Sequence, residues 1–413
     1  MSDRLAMFGG TRTVRVKPPR WPVAGATEVR RMEQVVRSGQ WAWMGRHERA
    51  FCREFASFLG ASFCVCVANG SVALQCALLA VGVRRGDEVI VPALTWVATA
   101  QAVLDIGADV VFADIDPLTW CLDPEAVKRA ITPRTRAVIP VHLYGCMADM
   151  DAILAIARAH GLKVIEDVAH QPGSAWRGAA AGTLGDVGTF SFQRSKVLTS
   201  GEGGAMVTSS PEVYEAAFSL KHVGWNPDLV TPGNRYGHNF RMTEMQSVLL
   251  RGGLRRLDGE LRRREEAAAL FAEGLDRIGG PVRCAPRDPR VSRQCFYALS
   301  LRYDRAAFDG IPRETFLRAI EAEGVRLFPP YVPAYRNPLA VLEHETGPLG
   351  SRARAPRPRY ARLRLPVTER VSCEEGLTLP HPWLLARKNV LGKVLSAFDK
   401  VATHRAALKN AQR

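Results

Sequence analysis

The chain has 413 residues, 47% of them hydrophobic, with 35 glycines, enough apolar material for two domains sharing a sizeable core and unlike the composition of a disordered chain. Its formal charge is +15, but the excess is mostly scattered arginine, which does not make the one-sided basic surface that nucleic acid requires. No segment reads as a membrane span, the start "MSDRLAMFGGTRTVRV" lacks the core of a signal peptide, and the nine cysteines form neither a CxxC pair nor a cysteine–histidine set at metal-ligand spacing. The expectation is a cytoplasmic protein with buried, reduced thiols and no metal.

In chain order, apolar β-rich runs alternate with helical patterns. "FCVCV" leads through "ANGS" into "VALQCALLAVGV", "DEVIVPALTW" into "VATAQAVLDIG", "ADVVFADID" into "DPEAVKRAI", and "TRAVIPVHLYG" into "DMDAILAIARAHG" before "LKVIEDVAH". Such repetition predicts a largely parallel sheet covered on both faces, an α/β architecture. "FSFQRSKVLTSGEGG" and "GGAMVT" place Lys196 on a short connection between two buried strands, with Gly201, Gly203 and Gly204 around Glu202 shaping the turn that follows.

A long helical pattern from about Thr243 to Leu275 stops at Gly279, Gly280 and Pro281. Beyond it, "CFYALSLRY" and "IPRETFLRAIEAEGV" predict a strand and a helix of a smaller α+β layer. The division is residues 1–255 for a large domain carrying the N-terminal segment, and 256–413 for a small C-terminal domain. Two arginine-rich stretches, from Arg251 and from Ser351, read respectively as a solvated helix face and an exposed, Pro-broken loop. "GWNPDLVTPGNRYGHN", from Gly224 to Asn239, reads either as a loop covering a partner's site or as a plain surface excursion.

Ligands of open α/β sheets gather beyond the carboxyl ends of the strands. There, Gly70 permits close backbone approach and Ser71 begins a helix, which suits either a phosphate or an ordinary cap. Trp96 offers either a stacking face or core packing. Asp167 ends a nearly continuous apolar run, so it either faces a cationic or hydrogen-bonding partner or serves as a cap. One chemistry uses all of them. Pyridoxal phosphate takes a lysine (Lys196) for its Schiff base, an acid (Asp167) for its ring nitrogen, donors (Ser71, Ser191) for its phosphate and a surface (Trp96) for its ring.

On "ANGSVAL", "VPALTWVATAQAV", "PVHLYG", "IEDVAHQPGS", "FSFQRSKVLTSGEGG" and "NFRMTEMQ", the chain resembles the DegT/DnrJ/EryC1/StrS aminotransferases from about Trp21 through Leu385. The resemblance implies a fold type I pyridoxal-phosphate transferase. By it, Lys196 forms the internal aldimine, Asp167 pairs with the ring nitrogen, His170 lies near the phenolic oxygen and Trp96 stacks on the ring. Gly70, Ser71 and Ser191 hold the phosphate, and Asn239 reaches the neighbouring subunit's phosphate in a homodimer with shared sites. "SGQWAWMG", "VHLYGCMADMDAI" and "LPHPWLL" resemble the branch that moves an amine from glutamine to cyclitol ketones of the scyllo-inosose type in aminoglycoside pathways. Gln193 and Tyr331 are the candidates for substrate contact. The alternatives are a nucleotide-linked keto-sugar acceptor, dehydration and aromatisation as in aminohydroxybenzoate synthases, and a non-enzymatic binding paralogue, against which the retained Lys196 argues.

Overall fold

The structure, a computed structural model, describes residues 4–43, 45–225, 236–337 and 360–411. Its strands are β1 (Phe63–Val67), β2 (Glu88–Pro92), β3 (Asp109–Ala113), β4 (Thr135–Val138), β5 (Lys163–Asp167), β6 (Ala175–Trp176), β7 (Ala179–Ala180), β8 (Val187–Ser191), β9 (Gly204–Thr208), β10 (Val282–Cys284), β11 (Val291–Arg293), β12 (Ala298–Tyr303) and β13 (Gly376–Pro380). The main sheet has seven strands in the order β1-β9-β8-β5-β4-β2-β3. Only β9 runs against its neighbours, so the sheet is mostly parallel. Every residue of β2 and β9 is buried, as expected for strands covered on both faces.

The helices Gly70–Ala80, Ala98–Asp105, Pro124–Ala130 and Met150–His160 follow β1 to β4 in turn. Their caps are written in the sequence: Asn69, Asp123 and Asp149 each accept a backbone amide from the first turn of the helix that follows. The helix after β1 therefore opens one residue earlier than expected, at Gly70, because Asn69 Oδ1 takes the Val72 amide at 3.0 Å and fixes the start.

The long helix spans Glu244–Ile278, begun by a capping box between Thr243 and Gln246 and closed by Gly279 at φ 66°. Past it, β10, β12 and β13 form an antiparallel sheet against a second core that includes Phe271, Leu301, Phe316, Leu377 and Phe398. Leu5 and Val14 also pack in this second core. Buried Glu323 ties that N-terminal segment down, accepting from the Ala6 amide at 2.7 Å and the Thr13 hydroxyl at 2.6 Å while Lys400 approaches to 2.9 Å.

The arginine-rich face of the long helix is not simply solvated. Arg251 pairs with Glu54 at 2.5 Å, and Arg264 is fully buried, within reach of Glu260 and stacked over Trp21. Helical period turns every third or fourth residue inward, and the N-terminal segment covers that side. Much of the second arginine stretch, residues 351–359, and most of the proposed covering loop, residues 226–235, lie outside the described residues. No described helix is long and apolar enough to cross a membrane.

Candidate active site

The carboxyl ends of β1, β2, β5 and β8 open onto one cavity of about 730 Å³. Gly70 and Ser71 line it from the start of the first helix, Trp96 from the turn after β2, and Asp167 and His170 from the end of β5. Ser191, Gln193 and Lys196 come from the β8–β9 connection, and Tyr331 from the second half of the chain. Asn239 is not in this lining. It is exposed, bridged to His222 by backbone pairing.

Asp167 is buried, and its oxygens are spoken for: Oδ2 accepts from the Thr99 hydroxyl at 2.9 Å and Oδ1 from the Ala169 amide at 3.1 Å. Burial raises its pKa, and those two hydrogen bonds together with Lys196 and His142 only partly offset the cost. A carboxylate held this way favours a cation placed against it. Lys196 is half-buried, and its Nζ stands 4.7 Å from the centre of the Tyr297 ring. Loss of water pulls its pKa down to about 8, against the opposing pull of Asp167, so a useful fraction of the amine is unprotonated near neutral pH.

His170 is buried, with its ring stacked on Tyr297 at 4.0 Å between centroids. Its Nδ1 accepts the Tyr144 amide at 3.1 Å, and burial, then Lys196, holds its pKa well below the usual value. The neutral ring therefore carries its proton on Nε2, which faces the Tyr331 hydroxyl at 3.3 Å. Trp96 leaves 46% of its surface exposed, tilted against Tyr331 at 5.5 Å. Gln193 Oε1 accepts both the amide and the hydroxyl of Ser195, at 2.8 and 2.7 Å, which leaves its amide nitrogen as the donor it can offer.

Several site residues escaped the sequence reading. Tyr297 follows the buried Phe296 in a segment read only as strand, yet it lies under both His170 and Lys196 and meets the Ser195 hydroxyl at 3.0 Å. The lysine loop is gripped from distant parts of the chain as well. Trp21 Nε1 donates to the Lys196 carbonyl at 3.1 Å, and His381, Trp21's edge-on partner at 4.9 Å, donates through Nε2 to the Ser195 carbonyl at 3.1 Å. Burial, with Arg264 adding to it, drops the His381 pKa to about 3, so this histidine is neutral in that role. Nothing in local pattern marks such residues; the contact spans 186 positions.

The described residues fit a phosphate-bearing pyridine aldehyde. They offer one poised amine, one buried carboxylate, one neutral imidazole donor and an open indole face. The helix start is shaped for close approach, since a Cβ at Gly70 would lie 2.8 Å from that of Ser191, and first-turn amides lack intrahelical acceptors.

Fold and cavity together define the class, a fold type I pyridoxal-phosphate-dependent aminotransferase. The chain belongs to the DegT/DnrJ/EryC1/StrS aminotransferase family, whose model matches residues 22–390. It is similar to the L-glutamine:2-deoxy-scyllo-inosose aminotransferase of Streptoalloteichus tenebrarius, 39% identical over 99% of this chain and 100% of that one. The L-glutamine:scyllo-inosose aminotransferase of Streptomyces griseus is 38% identical over 97% and 98% of the two chains. Among solved structures, 3-amino-5-hydroxybenzoic acid synthase superposes with a TM-score of 0.83 at 34% identity, covering 94% of this chain and 99% of that one.

Proposed function

We propose that this aminotransferase binds pyridoxal phosphate in the cavity around Lys196 and moves the amino group of L-glutamine to a polyhydroxylated cyclic ketone of the scyllo-inosose class. The observation that carries the reading is the convergence of Lys196, Asp167, His170 and the Gly70 helix start on one cavity, in a chain whose full-length relatives bear those substrate names. Bound there, the cofactor supplies an aldehyde for the donor's amine and an electron-accepting ring.

The chain's own groups do the rest. Asp167, kept from solvent, holds positive charge at the ring nitrogen. The Nε2–H of His170 serves the phenolic oxygen, and Trp96 covers the ring face. Gly70, Ser71 and Ser191 take the phosphate. The Lys196 Nζ would take the proton from the donor's α-carbon in the first half-reaction and deliver a proton to the acceptor's reacting carbon in the second, a role suited to an amine with its pKa near 8. A second cavity of about 470 Å³, lined in part by Trp21, Arg194, Ser195, Tyr297, Tyr331 and His381, shares its Ser195, Tyr297 and Tyr331 walls with the first and gives room for the polyol ring. Its hydroxyl and imidazole groups suit a neutral polyol in alternation with an amino acid.

The working form is a homodimer with shared sites. This reading is supported by the exposure of Asn239 outside its own chain's cavity and by that of the apolar Val223, Trp225 and Tyr236 near it, a surface suited to cover by a second copy. The compartment is the cytoplasm, where nine free thiols stay reduced.

The deciding experiment is a panel of ketones offered to the glutamine-treated enzyme, followed by the visible band of the cofactor. Recovery with scyllo-inosose or its 2-deoxy relative supports the proposal. Recovery only with a nucleotide-linked keto sugar overturns the acceptor, and aromatisation of an aminated cyclohexenone would favour the chemistry of the benzoate synthase instead. For the dimer, mixing Asn239→Ala with Lys196→Ala chains should restore part of the activity that each lacks alone.

A further inference from the structure

Away from the cofactor cavity, three cysteines converge at the edge of the main sheet. Cys64 and Cys66 alternate along β1 and so project on the same face, and Cys52 comes down from the helix Arg46–Leu59 that packs on that strand. Cys52 Sγ lies 3.4 Å from Cys66 Sγ, and all three sulfurs lie within 4.8 Å of one another. None of the three lines the cavity of Lys196.

Ordinary packing of small apolar side chains does not require sulfurs to face each other. The spacing matches a different need. With metal–sulfur bonds near 2.3 Å, sulfurs on one face of a tetrahedral site stand about 3.8 Å apart, inside the range found here. A disulfide would use two of the sulfurs and leave the third without a role; a cation uses them all.

The surroundings leave an entrance. Lys221 is buried beside the three cysteines, its Nζ 2.5 Å from Glu48 Oε1. Burial opposes its charge, but Glu48, Cys52 and Cys66 outweigh that cost and raise its pKa. Three thiolates and one divalent cation leave a single negative charge, and the Lys221–Glu48 pair borders the site. A separate cavity of about 240 Å³, lined by Cys52, Cys64, Glu48, Arg49, Arg53 and Lys221 among others, reaches the cluster from one side.

We propose that Cys52, Cys64 and Cys66 form a binding site for a thiophilic divalent cation of the zinc class, with the fourth coordination position open to the cavity beside Lys221. Each thiol that still carries its proton releases it to solvent as its sulfur binds the cation, so uptake is accompanied by proton release and weakens as the pH falls. This departs from the sequence expectation of no metal, which considered only spacing along the chain. Cys52 is separated from the Cys64-x-Cys66 pair by a helix end and a turn, and folding brings the three together.

The test uses the full-length holoenzyme, reduced and freed of metal by a chelator, then titrated with zinc chloride against a chromophoric chelator. One zinc per chain is expected. Cadmium should give an ultraviolet sulfur-to-metal charge-transfer band of the intensity of three thiolates. Cys52→Ser and Cys66→Ser should each weaken zinc uptake by at least about a hundredfold, while Cys121→Ser, buried elsewhere, should leave it unchanged. If a serine variant fails to fold, the cadmium band of the unaltered protein decides. Absence of that band, less than about one-tenth of a zinc per chain, or equal uptake by the Cys52 and Cys66 variants overturns the site.

Discussion

Lys196 and Lys221 are both drawn out of bulk water, and they titrate in opposite directions. Lys221 touches its counter-ion, with Glu48 Oε1 at 2.5 Å, and its pKa is raised. Lys196 faces a carboxylate whose two oxygens are already engaged by Thr99 and Ala169, and its pKa falls to about 8. The same burial that disfavours an ammonium thus yields a clamp where the charge is neutralised by contact, and a nucleophile where the counter-charge is held off. What distinguishes the two lysines is their neighbours: Glu48 meets Lys221 directly, with Cys52 and Cys66 adding to it, whereas Asp167 is already engaged elsewhere.

That contrast can be broken most sharply at Lys196. Lys196→Ala should lose at least roughly 10⁴-fold in turnover, because one side chain supplies both covalent attachment and proton transfer. Its thermal unfolding should stay near that of the unaltered chain, and single-turnover spectra with glutamine check the loss; normal activity would remove Lys196 from catalysis.

Lys221→Met should act through stability instead. It strands Glu48 as a buried unpaired carboxyl, whose pKa burial already raises against the pull of Lys221, at a cost of about 3–5 kcal/mol. Because the folded pKa of Lys221 lies above its ordinary 10.5, this contribution is complete below pH 10.5 and is lost only as the pH rises through the folded value. A denaturant midpoint at neutral pH therefore reads all of it. Adding Glu48→Leu should recover most of the loss, and no recovery would mean that the pair is not what the lysine stabilises.

Asp167→Asn should retain the cofactor but slow exchange of the donor's α-proton by roughly 10²–10³-fold, the scale of losing one buried electrostatic partner. Proton exchange into solvent, followed by magnetic resonance, measures this. His381→Phe is a gentler probe. It removes one of the two grips on the lysine loop, and a fall of about tenfold in turnover with unchanged unfolding temperature is expected for a positioning residue.

The smallest effect is the pH dependence of Lys196 itself. The unprotonated amine is the reactive form, so uptake of pyridoxal phosphate by cofactor-free protein should rise by less than about tenfold between pH 7 and pH 8 and level off above it. A rise that continues toward pH 10 would show that Lys196 keeps an ordinary lysine pKa and that the contrast with Lys221 fails.

The sequence alone determined the α/β repeat, the long helix from about Thr243 with its stop at Gly279, and the candidate cluster from Gly70 to Lys196, since period, stop signals and strand-end chemistry are local and survive in one dimension. It also carried the family, through motifs at those same strand ends. Tertiary structure decided the rest. It put Tyr297 under Lys196, hung the lysine loop from Trp21 and His381, turned Arg264 into the interior, brought Cys52 onto Cys64 and Cys66, and gave the two lysines opposite titrations. Each of these depends on distances between groups far apart in the chain and on how much water the packing removes around them, and no pattern along the sequence encodes either quantity.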